Sequence, residues 1–238
     1  MQLNANFGTL VRRVHLKGLV NEAAIDFTKD GVAHCQAVDI TNTIFIDCEE
    51  TVSDEDSEKH SIGLGPLSLV AKYTAGDSSV KMEVKDKWAH LRKQGSGSIK
   101  ILSIEPELVP TRPADSVDVE SFFTDDTVEI NLDAQIVTNF LEHQAMVDSP
   151  SIVFTIAAKT GRATINGNEQ AAQQYSVPFG KANKAPAETV RVEIYSNFLV
   201  AVFRELDFAH EATLHITAEY PVVITQPGVV WALTPMMV

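Results

Sequence analysis

The sequence has few cysteines and no long apolar run. Cys35 and Cys48 are the only cysteines among 238 residues, which argues against a disulfide scaffold and favours structural thiols in a reducing compartment. They could lie on adjacent strands, but two small apolar fillers of the core are the favoured interpretation. No stretch of about 18 apolar residues occurs, so no membrane span is expected. The N-terminus also lacks the pattern of a secretory signal.

Catalytic motifs are missing as well. There is no phosphate-binding loop, no dinucleotide-binding fingerprint and no His-Glu-x-x-His zinc motif, and no Gly-x-Ser-x-Gly elbow occurs. The seven histidines are scattered, and none lies at metal-ligand spacing from another. A weak divalent-cation site in the acidic run Glu49–Glu58 is an alternative, but a solvated loop is favoured there. We therefore predict no enzyme activity, no metal and no cofactor.

Basic residues are outnumbered, with 19 Lys and Arg against 32 Asp and Glu, and the net charge is −13. Taken alone this argues against nucleic-acid binding, which needs Lys and Arg at the phosphates. The acidic residues concentrate in two presumed loops, Glu49–Glu58 and Asp115–Asp126, whereas basic residues lie mainly on presumed helices. This distribution fits a protein that meets DNA on one surface only. For any single basic residue, a solvated helix face is the alternative.

What the sequence does contain is a duplication. Met1–Val38 and Val128–Asn166 both predict strand, helix, strand, tight turn and strand. The predicted helices are Ala5–Val20 and Ala134–Val147, and Asp133 is the expected N-cap of the second. Later elements correspond too, with predicted helices at Leu67–Tyr73, after Pro66, and at Ser196–Arg204. A repeat of this length indicates two similar domains rather than a short-period solenoid.

A proline-bearing segment separates the two copies. Pro106, Pro110 and Pro113 lack the backbone N–H that a sheet ladder needs, so an extended connector is expected. The predicted organisation is an N-terminal domain over residues 1–104, a connecting loop over residues 105–120 and a C-terminal domain over residues 121–238. In the second domain, Gln173–Val177 is a candidate edge strand and Phe179–Pro186 a candidate loop.

The order of these features resembles the DNA sliding clamps of the proliferating-cell-nuclear-antigen (PCNA) family, of archaeal or viral type, over essentially the whole chain. No single motif is diagnostic, and the resemblance depends on order and spacing. The segments that carry it are Asp30–Val32 with Ala37–Asn42, Gly65–Lys72, Ile101–Pro106, and Thr217–Val223 with Val230–Pro235.

The resemblance implies an α+β protein of two similar domains in the DNA clamp fold. Antiparallel sheets would lie outside and two helices per domain on the inner face of a homotrimeric ring. Its function would be that of a DNA polymerase processivity factor. Its partners would be double-stranded DNA without sequence specificity, DNA polymerase, the clamp loader and other replication or repair proteins with a short clamp-binding motif. The implied location is the cytoplasm of a prokaryotic or virus-infected cell, with no membrane.

Residue roles also follow from the resemblance. The DNA-facing residues would be Arg12, Arg13, Lys17, Lys72 and Arg204. The second long helix, Ala134–Val147, departs from the family because it has no Lys or Arg. Lys181 and Lys184 on a nearby loop are candidates to supplement it.

The resemblance further implies an apolar pocket for partner motifs and a ring closed by edge strands. The strand Ser98–Ser103 of one subunit would pair with Gln173–Val177 of the next. The residues matched to the pocket are Val38, Ile40, Thr43, Leu108, Val109, Pro221, Ala232, Leu233 and Pro235. For individual members such as Val38 and Leu233, plain core packing is an equal alternative.

Three other interpretations stay open. One is a related clamp that forms a heteromeric or looser ring. Another is a β-rich viral or structural assembly protein, in which the duplication serves packing. An enzyme is the third, although the sequence offers no catalytic constellation for it.

Overall fold

The computed structural model describes residues 1–54, 59–76, 79–93, 95–167 and 173–236. The chain divides into two compact units, Met1–Val117 and Asp118–Val238. The division falls within the segment 105–120 that the prolines mark as a connector. Residues 55–58 of the predicted acidic loop lie outside the described residues.

The described part of unit 1 folds into eight strands and two α-helices. They are β1 (Gln2–Leu3), α1 (Asn6–His15), β2 (Ala23–Phe27), β3 (Val32–Val38), β4 (Ile44–Thr51), β5 (His60–Gly65), α2 (Leu67–Thr74), β6 (Val80–Lys85), β7 (Trp88–Lys93) and β8 (Ser96–Ile104). Two 3-10 turns, Leu16–Gly18 and Pro106–Leu108, follow α1 and β8. The strands are hydrogen-bonded in the order β1-β6-β7-β8-β5-β2-β3-β4, and each pair is antiparallel.

The described part of unit 2 repeats this order. After a 3-10 turn at Val119–Phe122, its elements are β9 (Val128–Leu132), α3 (Ala134–Val147), β10 (Ser151–Ile156), β11 (Arg162–Gly167), β12 (Ser176–Lys181), β13 (Val190–Tyr195), α4 (Ser196–Phe203), β14 (Ala212–Ile216), β15 (Val222–Gln226) and β16 (Val229–Leu233). Within this unit β16, β15, β14 and β9 are neighbours in that order, and β12, β11, β10 and β13 form a four-stranded sheet.

The duplication predicted from the sequence is confirmed element by element. Each unit runs strand, helix, four strands, helix and three strands. The pairing of β1 with β6 corresponds to that of β9 with β14, and the pairing of β3 with β4 to that of β11 with β12. The first helix of each unit packs on the equivalent strand pair. The chain is therefore an α+β protein built from two copies of one fold.

The core of each unit forms from the inward rows of its strands. Ala33, Cys35 and Ala37 alternate with half-buried residues along β3, which is the period-2 pattern of a strand with one buried face. Cys35 lies opposite Cys48 on β4, and both are free, fully buried thiols. Burial raises the pKa of Cys35 to about 12, so this thiol stays protonated and acts as core filling, as the sequence favours.

Aromatic side chains dominate the core of unit 2. Phe140 of α3 meets Phe203 of α4 edge to face, with ring centroids 5.3 Å apart. Phe179 of β12 stacks on Phe203 at 5.9 Å and meets Phe154 of β10 at 5.8 Å. All four rings are at most 2% exposed. This cluster fastens both helices of the unit to the same sheet, since buried aromatic pairs stabilise beyond their area alone.

Two predicted boundaries in unit 1 are wrong. The helix α1 is shorter than the predicted Ala5–Val20, and the first residues of the predicted acidic loop belong to strand β4. The helix ends at His15, because Leu16 and Lys17 adopt left-handed backbone angles with φ of 41° and 54°. The N–H of Leu16 then caps the carbonyl of Arg12. Glu49 and Glu50 belong to β4 rather than to a solvated loop.

The edge strand of unit 2 lies further along the chain than predicted. It is β12, Ser176–Lys181, rather than Gln173–Val177, and it includes part of the predicted loop Phe179–Pro186. The strand contains Pro178 and Gly180, although both residue types usually interrupt strands. At a sheet edge Pro178 needs no ladder partner, and Gly180 supplies a positive φ of 94°.

Candidate DNA-facing and partner-binding residues

Three exposed cations lie on the helices of unit 1 or directly after them. Arg12 is on α1, Lys17 is in the turn that follows it, and Lys72 is on α2. A Cβ on Gly8 of α1 would lie 2.8 Å from the carbonyl oxygen of Thr74 on α2, so the two helices approach each other closely at this point. None of the residues in α1, Leu16–Gly18 or α2 is Asp or Glu. We call Arg12, Lys17 and Lys72 the helical cations of unit 1.

The electrostatics of His15 relate α1 to Lys72 of α2. Burial lowers the pKa of His15, and the positive charge of Lys72 lowers it further. This coupling places the Lys72 ammonium, on α2, near the last turn of α1. His15 therefore stays neutral near neutral pH, and the local positive charge comes from the lysines and Arg12.

Arg13 has a different environment from its neighbour Arg12. Its guanidinium Nη1 donates to the carboxylate of Glu50 on β4, and the residue is only 7% exposed. A buried arginine held by a carboxylate has little freedom to reach a phosphate. DNA contact by Arg13 stays a prediction, but this geometry supports a structural role.

The helices of unit 2 are nearly neutral. Helix α3 begins at Asp133, whose carboxylate accepts a 2.7 Å hydrogen bond from the N–H of Ile136, as an N-cap should. Its charged residue is Glu142, and α4 has none. Arg204 is exposed and follows directly after α4. The positive helical surface therefore belongs mainly to unit 1.

Lys181 and Lys184 do not lie on helices. Lys181 is the last residue of β12 and is exposed. Lys184 is also exposed, and its Nζ donates to the backbone carbonyl of Asp125. A supplementary role for either residue at DNA stays a prediction.

One carboxylate organises the loop that carries Ile40. Asp39 is 4% exposed, and its oxygens accept hydrogen bonds from the backbone N–H groups of Thr41, Thr43 and Ile44 at 3.0, 2.6 and 2.9 Å. Burial acts to raise the pKa of Asp39, but these bonds and one from the Thr41 hydroxyl outweigh it and lower the pKa. The loop is thereby fixed with Ile40 84% exposed at its tip.

The connector is fastened to unit 1 at several points. The N–H of Val38 donates to the carbonyl of Thr111 at 2.8 Å. Val109 is 3% exposed and packs so closely on Gly63 that a Cβ there would lie 2.6 Å from its Cγ2. Leu108, in contrast, is 68% exposed. Neighbouring residues of the predicted pocket thus face opposite ways, one into the core and one to solvent.

A series of side-chain hydrogen bonds holds the end of the connector. Gln36 of β3 donates to the carbonyl of Val117 at 2.9 Å and accepts from its N–H at 3.1 Å. The Gln36 amide also donates to Asp47, whose other oxygen lies 2.8 Å from Nε2 of His34. The bond to Asp47 raises the pKa of His34 against the opposing effect of burial. Burial would raise the pKa of Asp47, but its bonds to His34 and Gln36 lower it.

The remaining predicted pocket residues divide by exposure. Val38 and Thr43 of unit 1 are half-buried, as are Pro221 and Pro235 of unit 2. Ala232 and Leu233 lie in β16 and are 3% and 1% exposed, so their side chains belong to the core of unit 2. Ile40 and Leu108 are the members of the set with large exposed apolar side chains.

Each unit has a strand edge that is open to another strand. In the part of unit 1 that the structure describes, β8 pairs with β5 only at Leu102, Ser103 and Ile104. In unit 2, β12 ends its four-stranded sheet. Unpaired edges of this kind are sites at which another chain can add a strand.

Solved structures similar to this chain include sliding clamps. One is PCNA of A. fulgidus with the C-terminal region of FEN-1 bound, which has a TM-score of 0.73 and 18% identity and covers 100% of this chain and 98% of that one. PCNA of Thermococcus kodakaraensis matches with a TM-score of 0.72 and 14% identity over 99% of both chains. The chain has the sliding-clamp fold.

A third match is the PCNA2–PCNA3 complex of Sulfolobus tokodaii, with a TM-score of 0.72 and 14% identity over 99% of both chains. No family model matches the sequence, and no curated protein matches it. At these identities the comparison establishes the sliding-clamp fold, and the roles of individual residues depend on the geometry described above.

Sequence reasoning missed two residues that shape the clamp fold at these sites. Asp39 is one of them, although an Asp with Thr, Asn and Thr two to four residues later is typical of a side-chain-capped turn. Glu50 was placed in a solvated loop, and no local signal links it to Arg13, 37 residues earlier. Within the described residues, no group of three or more His, Cys, Asp and Glu is arranged to hold a metal ion, and no helix is long and apolar enough to cross a membrane.

Proposed function

We propose that this chain is the subunit of a ring-shaped DNA sliding clamp, a non-catalytic factor that encircles duplex DNA and tethers DNA polymerase and other replication proteins. The observation that carries the proposal is the full-length match of a duplicated two-unit chain to clamp structures. The helical cations of unit 1 support it, because they lie on helices without carboxylates in a protein of net charge −13.

The DNA contacts would be to phosphate alone. Arg12, Lys17, Lys72 and Arg204 are exposed, and lysine and arginine on a helical surface neutralise phosphates without reading bases. Such contacts are weak and sensitive to salt, which suits a protein that moves along DNA. The near-neutral α3 makes these contacts fewer in unit 2 than in unit 1.

The open strand edges support a closed oligomer. We propose that β8 of one subunit pairs with β12 of the next and that three copies close a ring, since a head-to-tail contact either closes or forms a filament. A heteromeric ring is the second candidate, because one matching structure contains two different PCNA chains. Light scattering should give three times 26.0 kDa for the homotrimer, whereas a monomer alone would favour a required partner chain.

A threading experiment tests the proposal without a clamp loader. Duplex DNA is attached to beads by one end, and the other end is left open or blocked with a bulky protein. A ring should collect only on DNA with an open end. Blocking that end afterwards should hold the ring through a high-salt wash, because enclosure does not depend on phosphate contacts.

Equal retention on DNA that is blocked at both ends from the start would contradict the ring. It is also the result expected of a structural assembly protein with a DNA-binding surface. Cutting the DNA between the blocked ends is the matched control, because it should release an enclosing ring and leave a surface-bound protein in place.

We further propose that Ile40 and Leu108 belong to the docking surface for short partner motifs. Both side chains are exposed and apolar in unit 1, and the loop and connector that carry them are held by Asp39 and Val109. A peptide from FEN-1 is bound in one matching clamp structure. Apolar anchors dominate binding of this kind.

Adjacent connector residues allow a matched test. Leu108→Ala should weaken binding of a clamp-binding peptide at least about fivefold with little change in stability. Val109→Ala should lower the free energy of unfolding by about 2 kcal/mol because it leaves a cavity beside Gly63. Calorimetry with the peptide and urea unfolding measure the two effects. Unchanged peptide affinity in Leu108→Ala would show that the docking surface lies elsewhere.

A further inference from the structure

One sheet face of unit 1 is positively charged and carries an exposed tryptophan. Residues 80–104 hold six of the 19 Lys and Arg of the chain and only two of its 32 Asp and Glu. This segment forms β6, β7 and β8, which are adjacent antiparallel strands. A basic region of this kind is unexpected in a protein with net charge −13. The proposed function uses only the edge of β8, for the subunit contact, and neither the helical cations nor the partner surface includes the face of these strands.

The strand registers place four of these cations on one face, whereas Lys87 lies in the turn before β7 and the Nζ of Lys93 donates to the carbonyl of Ala75. Trp88, His90 and Arg92 alternate along the central strand β7, while Ala89 and Leu91 between them are buried. Trp88 lies opposite Lys85 of β6 and Leu102 of β8. His90 lies opposite Glu83 and Lys100, and Arg92 opposite Lys81 and Ser98. We call this set the outer face of β6–β8.

Trp88 is presented together with a cation. The indole is 39% exposed and Leu102 beside it is 46% exposed. The Nζ of Lys100 lies 4.2 Å from the centre of the indole ring, within the range of a cation–π contact. Alternate side chains along β7 are about 6.8 Å apart and neighbouring strands about 4.8 Å apart. An extended polymer that crosses this face would therefore meet the ring and several cations in succession.

We propose that the outer face of β6–β8 binds single-stranded nucleic acid. The cations Lys81, Lys85, Arg92 and Lys100 are all exposed. Lys81 pairs with Glu83 at 2.9 Å, so Lys85, Arg92 and Lys100 are the main complement to a phosphate backbone, while Trp88 offers a surface on which an unpaired base can stack. Duplex DNA has no free base face to stack, so this site differs in chemistry from the helical cations. Three of the four cations are Lys, which acts as a point charge at phosphate, whereas planar carboxylates are better matched by Arg.

Tryptophan fluorescence gives a direct test on the intact protein. The chain has two tryptophans, and Trp231 is fully buried, so quenching by an added strand reports Trp88. The probe is an oligothymidylate of about 10 nucleotides, within the range of strand lengths that a single binding fold covers. Saturable quenching is expected, and it should weaken steeply as salt rises from about 50 to 200 mM.

Variants separate stacking from charge. Trp88→Ala should lower the affinity, measured by anisotropy of a labelled strand, about tenfold, and Trp88→Phe should keep most of it because a ring remains. Lys85→Ala and Arg92→Ala should each reduce the slope of log affinity against log salt by about 0.7. Lys159→Ala removes the same charge from the β10–β11 turn and should change neither quantity. Arg12→Ala should leave the quenching of Trp88 intact.

Three results would overturn the assignment. The first is an unchanged affinity in Trp88→Ala. The second is that a duplex of the same length displaces the bound strand, and restores the fluorescence, as effectively as an added single strand does. The third is equal competition by polyglutamate, which would identify the face as a site for acidic peptides.

Discussion

Arg13→Ala is expected to lower the free energy of unfolding by about 3 kcal/mol, because it removes one partner of a buried ion pair. The remaining partner would be Glu50, whose side chain is 17% exposed. Arg12→Ala, one residue away on the same helix, should change stability by less than about 0.5 kcal/mol because Arg12 is at the surface. Urea unfolding of the three proteins at one pH measures both differences.

A double variant tests the cause of the loss. Arg13→Met with Glu50→Leu removes both charges and keeps apolar volume, so it should recover much of the stability lost in Arg13→Ala. An unchanged m-value would show that the unfolding transition itself is the same. If Arg13→Ala and Arg12→Ala were equally stable, the ion pair would contribute nothing, and Arg13 would return as a candidate for DNA contact.

The contrast between these two arginines shows what local pattern can and cannot predict. The apolar stripe of α1, at Phe7, Leu10, Val11 and Val14, indicates a helix with one buried side. It does not say whether an arginine beside the stripe extends to solvent or turns inward. That depends on Glu50, which lies 37 residues away in β4 and meets Arg13 only in the folded sheet.

Most of the architecture was predictable because it follows local periodicity. Alternation along β3, the turn at Lys29–Gly31 and the N-cap at Asp133 are visible in a few consecutive residues. Element ends were less predictable. The end of α1 depends on left-handed angles at Leu16 and Lys17, which non-glycine residues rarely adopt, and β12 exists because its sheet edge tolerates Pro178.

The candidate sites were predictable as chain segments rather than as surfaces. Leu108 and Val109 are adjacent and similar in chemistry, yet their exposures are 68% and 3%. The difference comes from Gly63 on β5, which leaves space for one of them to be buried. The outer face of β6–β8 needs the register of three strands, since Lys85, Trp88 and Leu102 become neighbours only through pairing.

The second large effect is expected from charge reversal on the helices. Arg12→Glu with Lys72→Glu should reduce the affinity for a short duplex with open ends more than tenfold at low salt, because attraction to phosphate becomes repulsion. The slope of log affinity against log salt should fall by about 0.9 for each phosphate contact that is lost. Anisotropy of a labelled duplex over a salt series measures both quantities.

The matched control places the same change in charge elsewhere. Lys159→Glu with Arg162→Glu alters two exposed residues at the β10–β11 turn, so it changes the net charge equally but leaves the helices intact. If both double variants lost affinity to the same extent, the affinity for DNA would depend on the overall charge of the protein, and the helical cations would not form a specific DNA-binding surface. If only the helical variant lost affinity while light scattering still gave the mass of three copies, the positive surface of unit 1 would be the part of the protein that meets DNA. The neutral α3 would then explain why one unit carries most of that contact.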